Sequence, residues 1–273
     1  LASNSYKLLV VDVDGTLVGE DGSILAEDRE ALSRVSGLGV KVSLSTGRAV
    51  QACSGVLHEL SLDGYHIFCD GALVYDPCRQ GEVYVQPLDK VVVGRAVEFA
   101  HLNDISLDLY SKTRYFVERE TWSAVTHRDF FGIPPTIVDF TGLWEREVII
   151  KAGMVAISPQ EAAKARYFHR EFSDDLHFSW VTTPSYPGVE FINVVAPGVT
   201  KGKALKALAS HLGIALGEVI AIGDGNNDIS LLSSAGLGIA MGNATEQAKE
   251  VADYVTLDVE RGGVAAAIRK FLL

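Results

Sequence analysis

Cysteine is scarce in this chain of 273 residues, which carries only Cys53, Cys69 and Cys78. An odd number without a repeated spacing builds no disulfide framework, and no CxxC pair exists to hold zinc. A reducing, cytoplasmic setting is therefore expected. Long apolar runs are missing too. No stretch of 18 apolar residues occurs, so no membrane span is expected. The opening "LASNSYK" has neither a basic n-region nor an apolar h-region and does not read as a signal peptide. Positive charge is thin: Lys and Arg number 24 against 35 Asp and Glu, for a formal net charge of -11. An acidic chain without a basic block does not suit nucleic acid or an anionic membrane surface. If the substrate is anionic, the attracting charge must be local. The seven histidines show no HExxH spacing. GxSxG, the P-loop, tandem repeats and low-complexity linkers are likewise absent.

What remains is an ordinary globular mix, 48% hydrophobic and 22% charged, with length enough for one large or two modest domains. Leu8–Val11 is a short β-type run. Leu32, Val35 and Leu38 have helical spacing before Gly39, and "VKVSLSTGR" alternates as a strand. "AVQACSGVLHEL" reads as a helix and "YHIFCDGALVYD" as a strand with a turn. The C-terminal part repeats this grammar: "TKGKALKALASHLG" (helix), "EVIAIGD" (strand), "NDISLLSSAG" (helix), "LGIAMG" (strand), "ATEQAKEVADYVT" (helix) and "GGVAAAIRKFLL" (helix). The order predicts parallel pairing with right-handed crossovers. The middle mixes aromatics and charges with scattered strands, and His127, Arg128, Lys112 and Arg114 give it local positive charge. The expected architecture is a Rossmann-like three-layer α/β core with a parallel sheet, formed by residues 1–82 and 191–273, and an inserted α+β cap at 83–190.

Four stretches concentrate reactive side chains: "DVDGT" (12–16), "STGR" (45–48), "TKG" (200–202) and "GDGNND" (223–228). Three would lie at carboxyl ends of strands, where open α/β sheets bind ligands. Asp-Gly is also a common turn dipeptide, so Asp12 and Asp14 alone admit a turn as readily as a reactive site. Converging Asp12, Asp14, Asp224 and Asp228 changes the balance. Two carboxylates about 4 Å apart repel by roughly 4 kcal/mol at an effective dielectric near 20. Such a group needs a cation or shared protons, and an all-oxygen set without His or Cys suits Mg²⁺. "GLGIAMG" has the wrong spacing for a dinucleotide loop and reads as small-residue packing.

With these motifs the sequence resembles the haloacid dehalogenase superfamily of phosphotransferases, in particular the Cof-type phosphatases with a C2 (class IIB) cap. The resemblance covers about Lys7 to Asp76 and Asn193 to Leu273. It implies that Asp12 is the nucleophile and forms an aspartyl-phosphate. It implies that Asp14 is the acid/base, that Thr46 hydrogen-bonds the phosphoryl group and that Lys201 stabilises its charge. Mg²⁺ would be held by Asp12, the Val13 carbonyl and Asp224, with Asp14, Asp228 and Asn227 nearby. Gly15, Thr16, Gly47, Arg48, Asn193 and Asn227 are candidate substrate contacts; Arg48 could instead cap the following loop. Where relatives commonly carry Asn-Gly-Ala, this chain has Asp70.

The physics of those residue types agrees. A carboxylate attacks phosphorus when a cation and Lys201 offset the negative charges. A carboxyl two residues along faces the same side of an extended strand end, so Asp14 can reach the leaving group. Gly15 permits a tight turn. The expected function is Mg²⁺-dependent hydrolysis of a small phosphorylated metabolite, a sugar phosphate or phosphoglycolate-like acid, by a monomer or homodimer. The alternatives are a phosphosugar mutase or other phosphotransferase, and a non-catalytic module that binds a phosphate ligand.

Overall fold

In the computed structural model, two runs of chain build one sheet around the strand that carries Asp12. The structure describes residues 6–181 and 186–273. The start of "LASNSYK" and the end of "HFSWVTT" lie outside these residues. In chain order the first elements are β1 (Leu8–Asp12), α1 (Ala26–Gly37), β2 (Lys41–Ser45), α2 (Ser54–Glu59), β3 (His66–Phe68), β4 (Leu73–Asp76) and β5 (Gly81–Val85). There follow α3 (Lys90–Leu102), β6 (Asp108–Tyr110), β7 (Tyr115–Val117), α4 (Trp122–Phe131), β8 (Thr136–Ile137), α5 (Leu143–Arg146), β9 (Lys151–Ala156), α6 (Pro159–Phe172), β10 (His177–Val181) and β11 (Glu190–Val195). The chain ends with α7 (Lys201–Leu212), β12 (Val219–Gly223), α8 (Ile229–Leu232), β13 (Leu237–Ala240), α9 (Glu246–Val251), β14 (Tyr254–Val255) and α10 (Gly263–Phe271).

Two units divide the chain. The first comprises residues up to Thr46, Val56–Tyr84 and Thr200–Leu273. Its sheet has the order β14-β13-β12-β1-β2-β3-β4-β5. Strands β13, β12, β1, β2 and β3 pair in parallel, and β4 turns back antiparallel to β3. A parallel sheet is covered on both faces, so its strands read as continuous apolar runs. That explains "LLVV" in β1 and "VIAI" in β12, both wholly buried. The helices supply the covering apolar faces. Helix α1 buries Ala31, Leu32 and Val35, and α10 buries Val264, Ala265, Ala267 and Ile268. Helix α7 starts at Thr200, whose hydroxyl accepts from the Lys203 amide, and stops at left-handed Gly213.

The second unit comprises Gly47–Gly55 and Val85–Val199. Its sheet has the order β10-β11-β9-β6-β7-β8, antiparallel except for β7 with β8. Helices α3 and α6 bury Val93, Ala96, Val97, Phe168 and Phe172. Two differences from the sequence reading stand out. Strand β11 pairs with β9 and β10, so the second unit runs to Val199 rather than ending at 190. The last-but-one helix is also short. It stops at Val251, because Asp253 donates its amide to Gly238 O and accepts the Gly238 amide on its side chain, which draws the chain into β14.

Candidate active site

Strands β12, β1 and β2 are neighbours in register, and their ends deliver three of the four reactive stretches to one edge. Val11 lies opposite both Ile222 and Leu44, and Asp12 lies opposite Ser45. Asp12 thus ends its strand beside the segments that lead into Asp224 and Thr46. Lys201 enters as the first residue of α7. Its side chain is fully buried, and Nζ donates to Asp12 Oδ1 and to Asp228 Oδ1, each at 2.6 Å.

Three of the four carboxylates expected to converge do so. One oxygen each from Asp12, Asp224 and Asp228 lies within 4.8 Å of the others. At that spacing each charged pair repels by about 3–4 kcal/mol at an effective dielectric near 20. Three carboxylates against one ammonium leave two negative charges, the charge one divalent cation balances. The donors are all oxygen, which suits a hard ion such as Mg²⁺. Asp14 stands outside this group and is exposed. Its exposure fits a group that exchanges protons with substrate and water better than a ligand.

Ionisation follows from the same crowding. Burial, then the neighbouring charge of Asp228, pushes the Asp12 carboxyl well above its usual range; Lys201 opposes this. Burial also raises Asp224, to about 6, against the hydrogen bond from Thr16. For Lys201, burial favours the neutral amine, but Asp12 and Asp228, with Asp70, outweigh it and hold the ammonium charged.

Backbone and hydroxyl contacts fix the carboxylates. Asp228 Oδ2 accepts the amides of Asp224 and Gly225 at 3.1 and 2.9 Å. Thr16 donates its hydroxyl to Asp224 Oδ1 at 2.7 Å and is fully buried. Thr16 therefore orients Asp224 and is not a substrate contact through its hydroxyl. Gly15 has φ 84°, and a Cβ there would stand 2.5 Å from Asp224 Oδ2. Only glycine gives both that backbone and that approach.

The Val13 carbonyl, expected to bind the cation, accepts the amides of Leu17 and Val18 at 2.9 and 2.8 Å. Both of its lone pairs are engaged in the turn after β1, which corrects that expectation. Thr46 is buried, with its amide donating to Ile67 O. Asn227 is exposed on the 3-10 turn Asn226–Asp228. Sequence reasoning missed Asn243. Its Nδ2 donates to Gly15 O at 2.8 Å and its Oδ1 accepts the Val259 amide at 2.9 Å, pinning the turn after β1. The signal was there, an Asn straight after the small-residue strand "LGIAMG".

Gly47, Arg48 and Asn193 belong to the second unit. Arg48 donates to Ala52 O at 3.4 Å, and the Gly47 carbonyl accepts from Lys151 Nζ at 2.8 Å. Asn193 sits in β11 between Gly153 and Ser179. The same unit buries a polar cluster that sequence reasoning did not find. Ser123 donates to Asp108 Oδ2, His127 Nδ1 lies 2.8 Å from Ser123 O, and Tyr110 Oη lies 3.2 Å from His127 Nε2. Burial raises the Asp108 carboxyl, and His127 opposes the shift. No helix among the described residues is long and apolar enough to cross a membrane.

The family of haloacid dehalogenase-like hydrolases matches residues 9–268. The chain is similar to a 5-amino-6-(5-phospho-D-ribitylamino)uracil phosphatase of Bacillus subtilis, at 30% identity over 98% of this chain and 96% of that protein. Among solved structures it is similar to a haloacid dehalogenase-like hydrolase from Bacteroides thetaiotaomicron, with a TM-score of 0.82 and 28% identity over 97% of this chain and 99% of the other. It is also similar to a sugar phosphatase of HAD subclass IIB, with a TM-score of 0.77 and 26% identity over 97% and 98% of the two chains.

Proposed function

The chain belongs to the haloacid dehalogenase-like hydrolase family and is a phosphatase of the Cof type, and from that premise we propose that it hydrolyses a small phosphorylated metabolite through an aspartyl-phosphate on Asp12. A sugar phosphate or phosphoglycolate-like acid is the substrate class. The observation that carries this reading is Lys201, buried and 2.6 Å from both Asp12 and Asp228. A nucleophilic carboxylate near a phosphate dianion needs fixed positive charge, and Lys201 provides it without reorganisation.

Asp12, Asp224 and Asp228 would hold Mg²⁺, which supplies charge to offset the phosphoryl oxygens. An Asp12 carboxylate oxygen forms a bond to phosphorus as the ester P–O bond breaks. Asp14 gives its proton to the departing alcohol oxygen. Ionised Asp14 then takes a proton from water, whose oxygen attacks the same phosphorus and releases Asp12 and inorganic phosphate. Lys201 favours the anionic form of Asp12, opposing burial and the Asp228 charge, and Thr46 donates to the phosphoryl oxygens. Choice of substrate is assigned to the second unit, whose buried hydroxyl, carboxylate and imidazole groups are suited to polar ligands.

A panel of phosphate monoesters, read by free phosphate with and without EDTA, tests the reading. We expect release from wild type with Mg²⁺, none with EDTA, and none from Asp12→Asn. Equal, negligible release from wild type and Asp12→Asn across the panel would favour a binding module. Phosphate that appears on an added sugar rather than in solution would favour a transferase.

A further inference from the structure

Asp70 lies in none of the four reactive stretches, yet it sits where three of them meet. Strand β3 leads into β4 through a tight turn at Cys69–Gly71. Cys69 and Asp70 both have left-handed backbone, with φ 52° and 55°, and Gly71 has φ 100°. Non-glycine residues seldom adopt that region, aspartate being among the more tolerant. Two left-handed residues in succession are held by what surrounds them.

The surroundings are the motif stretches themselves. The Asp70 amide donates to Thr46 O at 3.0 Å. Gly71 lies against the start of α7, so closely that a Cβ there would stand 2.4 Å from Thr200 O. Asp70 Oδ1 accepts from Asn227 Nδ2 at 2.9 Å. Asn227 belongs to the turn whose amides and carboxylates set Asp224 and Asp228. One residue thus touches the Thr46 stretch through its backbone and the Asp224–Asp228 stretch through its side chain, and its neighbour abuts the Lys201 helix.

We infer that Asp70 is a positioning residue for the phosphatase site: its carboxylate anchors Asn227 and so fixes the Asp224–Asp228 turn relative to Thr46 and Lys201. The inference rests on the proposed function for its consequence in catalysis, and on the contacts alone for its structural part. What the bond requires of residue 70 is an acceptor oxygen, which an asparagine also offers. The conservative replacement therefore keeps the anchor, and alanine removes it.

The test compares Asp70→Ala, Asp70→Asn and Asn227→Ala in the full chain. Asp70→Ala is expected to lower kcat about tenfold or more, the scale of losing an orienting contact behind a site, with a small drop in the unfolding midpoint, because alanine tolerates the left-handed backbone less well than aspartate. Asp70→Asn restores most of the rate. Asn227→Ala falls as Asp70→Ala does, and the double variant falls no further. Amide hydrogen exchange over residues 224–228, measured without substrate, is expected to quicken in Asp70→Ala and to return in Asp70→Asn. Unchanged exchange in Asp70→Ala overturns the inference, and so does an Asp70→Asn that behaves like Asp70→Ala. Should Asp70→Ala fail to fold, Asp70→Asn and Asn227→Ala still decide it by the same exchange readout. Wild-type silence on the ester panel overturns the proposed function and leaves the exchange result standing.

Discussion

Lys201 Nζ lies 2.6 Å from Asp12 Oδ1 although 189 residues separate them in the chain. The pair is buried and shares its cation with Asp228. A buried charge that loses its partner is costly, so this contact links stability to chemistry.

Lys201→Met keeps much of the volume and removes the charge. Without divalent cation, the variant is expected to be less stable than wild type by about 3 kcal/mol, the low end for breaking a buried ion pair. Millimolar Mg²⁺ should narrow that gap, because a cation in the carboxylate cluster takes over part of the neutralisation. Turnover is expected to drop by about 10²–10³, the scale for removing a fixed charge-stabilising group. Urea unfolding with and without Mg²⁺, beside phosphate release, checks both parts. A gap that stays constant across Mg²⁺ concentrations would count against cation binding at Asp12, Asp224 and Asp228.

Thr16→Val removes the hydroxyl that Asp224 accepts at 2.7 Å and changes little else in size. Its effect should fall on the cation. Half-saturating Mg²⁺ is expected to rise about 10–100-fold, while turnover at saturating Mg²⁺ stays within a few-fold of wild type. A Mg²⁺ titration of phosphate release separates this from a role in substrate binding, which would raise KM instead.

Asp28 offers a pH test away from the site. It is buried between α1 and α10, and Oδ1 accepts the Ala265 amide at 2.6 Å. Burial raises its carboxyl from 3.8 to about 6; the Ala265 bond opposes the shift, Glu27 adds to it and Arg269 opposes it. The folded-state value lies above the unfolded one, so the native state binds the proton more tightly. This contribution to stability is full below pH 4, is lost as pH rises to about 6, and stays lost above. Two pH units correspond to about 3 kcal/mol. Asp28→Asn cannot titrate. The stability of the variant relative to wild type should therefore rise by about 2–3 kcal/mol between pH 4 and pH 7. Denaturant melts at the two pH values measure it, and a pH-independent difference would show that Asp28 does not titrate in this range.

The α/β alternation of both chain ends was legible because a parallel strand is a local apolar run and its helix a local period. The reactive stretches were legible for the same reason: each keeps its side chains within a few residues. What escaped was decided across the fold. Nothing local in "DGT" says that Thr16 turns its hydroxyl to Asp224, 208 residues on. The Val13 carbonyl looked free in the sequence, and the turn that closes over it takes it. "EFINVV" reads as a strand of either sheet, and only its pairing with β9 and β10 assigns it. "ATEQAKEVADYVT" has helical composition throughout, but Asp253 finds Gly238 across the sheet and ends the helix early. The buried Asp108 cluster draws on β6 and α4, with β7 between them in the chain, so no short window of sequence contains it.

Strand β1 is flanked on one side by β2, synthesised early, and on the other by β12, synthesised some two hundred residues later. A nascent chain that has left the ribosome as far as residue 200 already carries Asp12, Asp14 and Thr46, but lacks Lys201 and the acidic turn at 224–228. Its half-sheet also presents β1 as an open apolar edge until β12 docks. Under the proposed function the site is complete only when α7 and β12 are both in place, and the strand docking that completes it is the one that seals the edge.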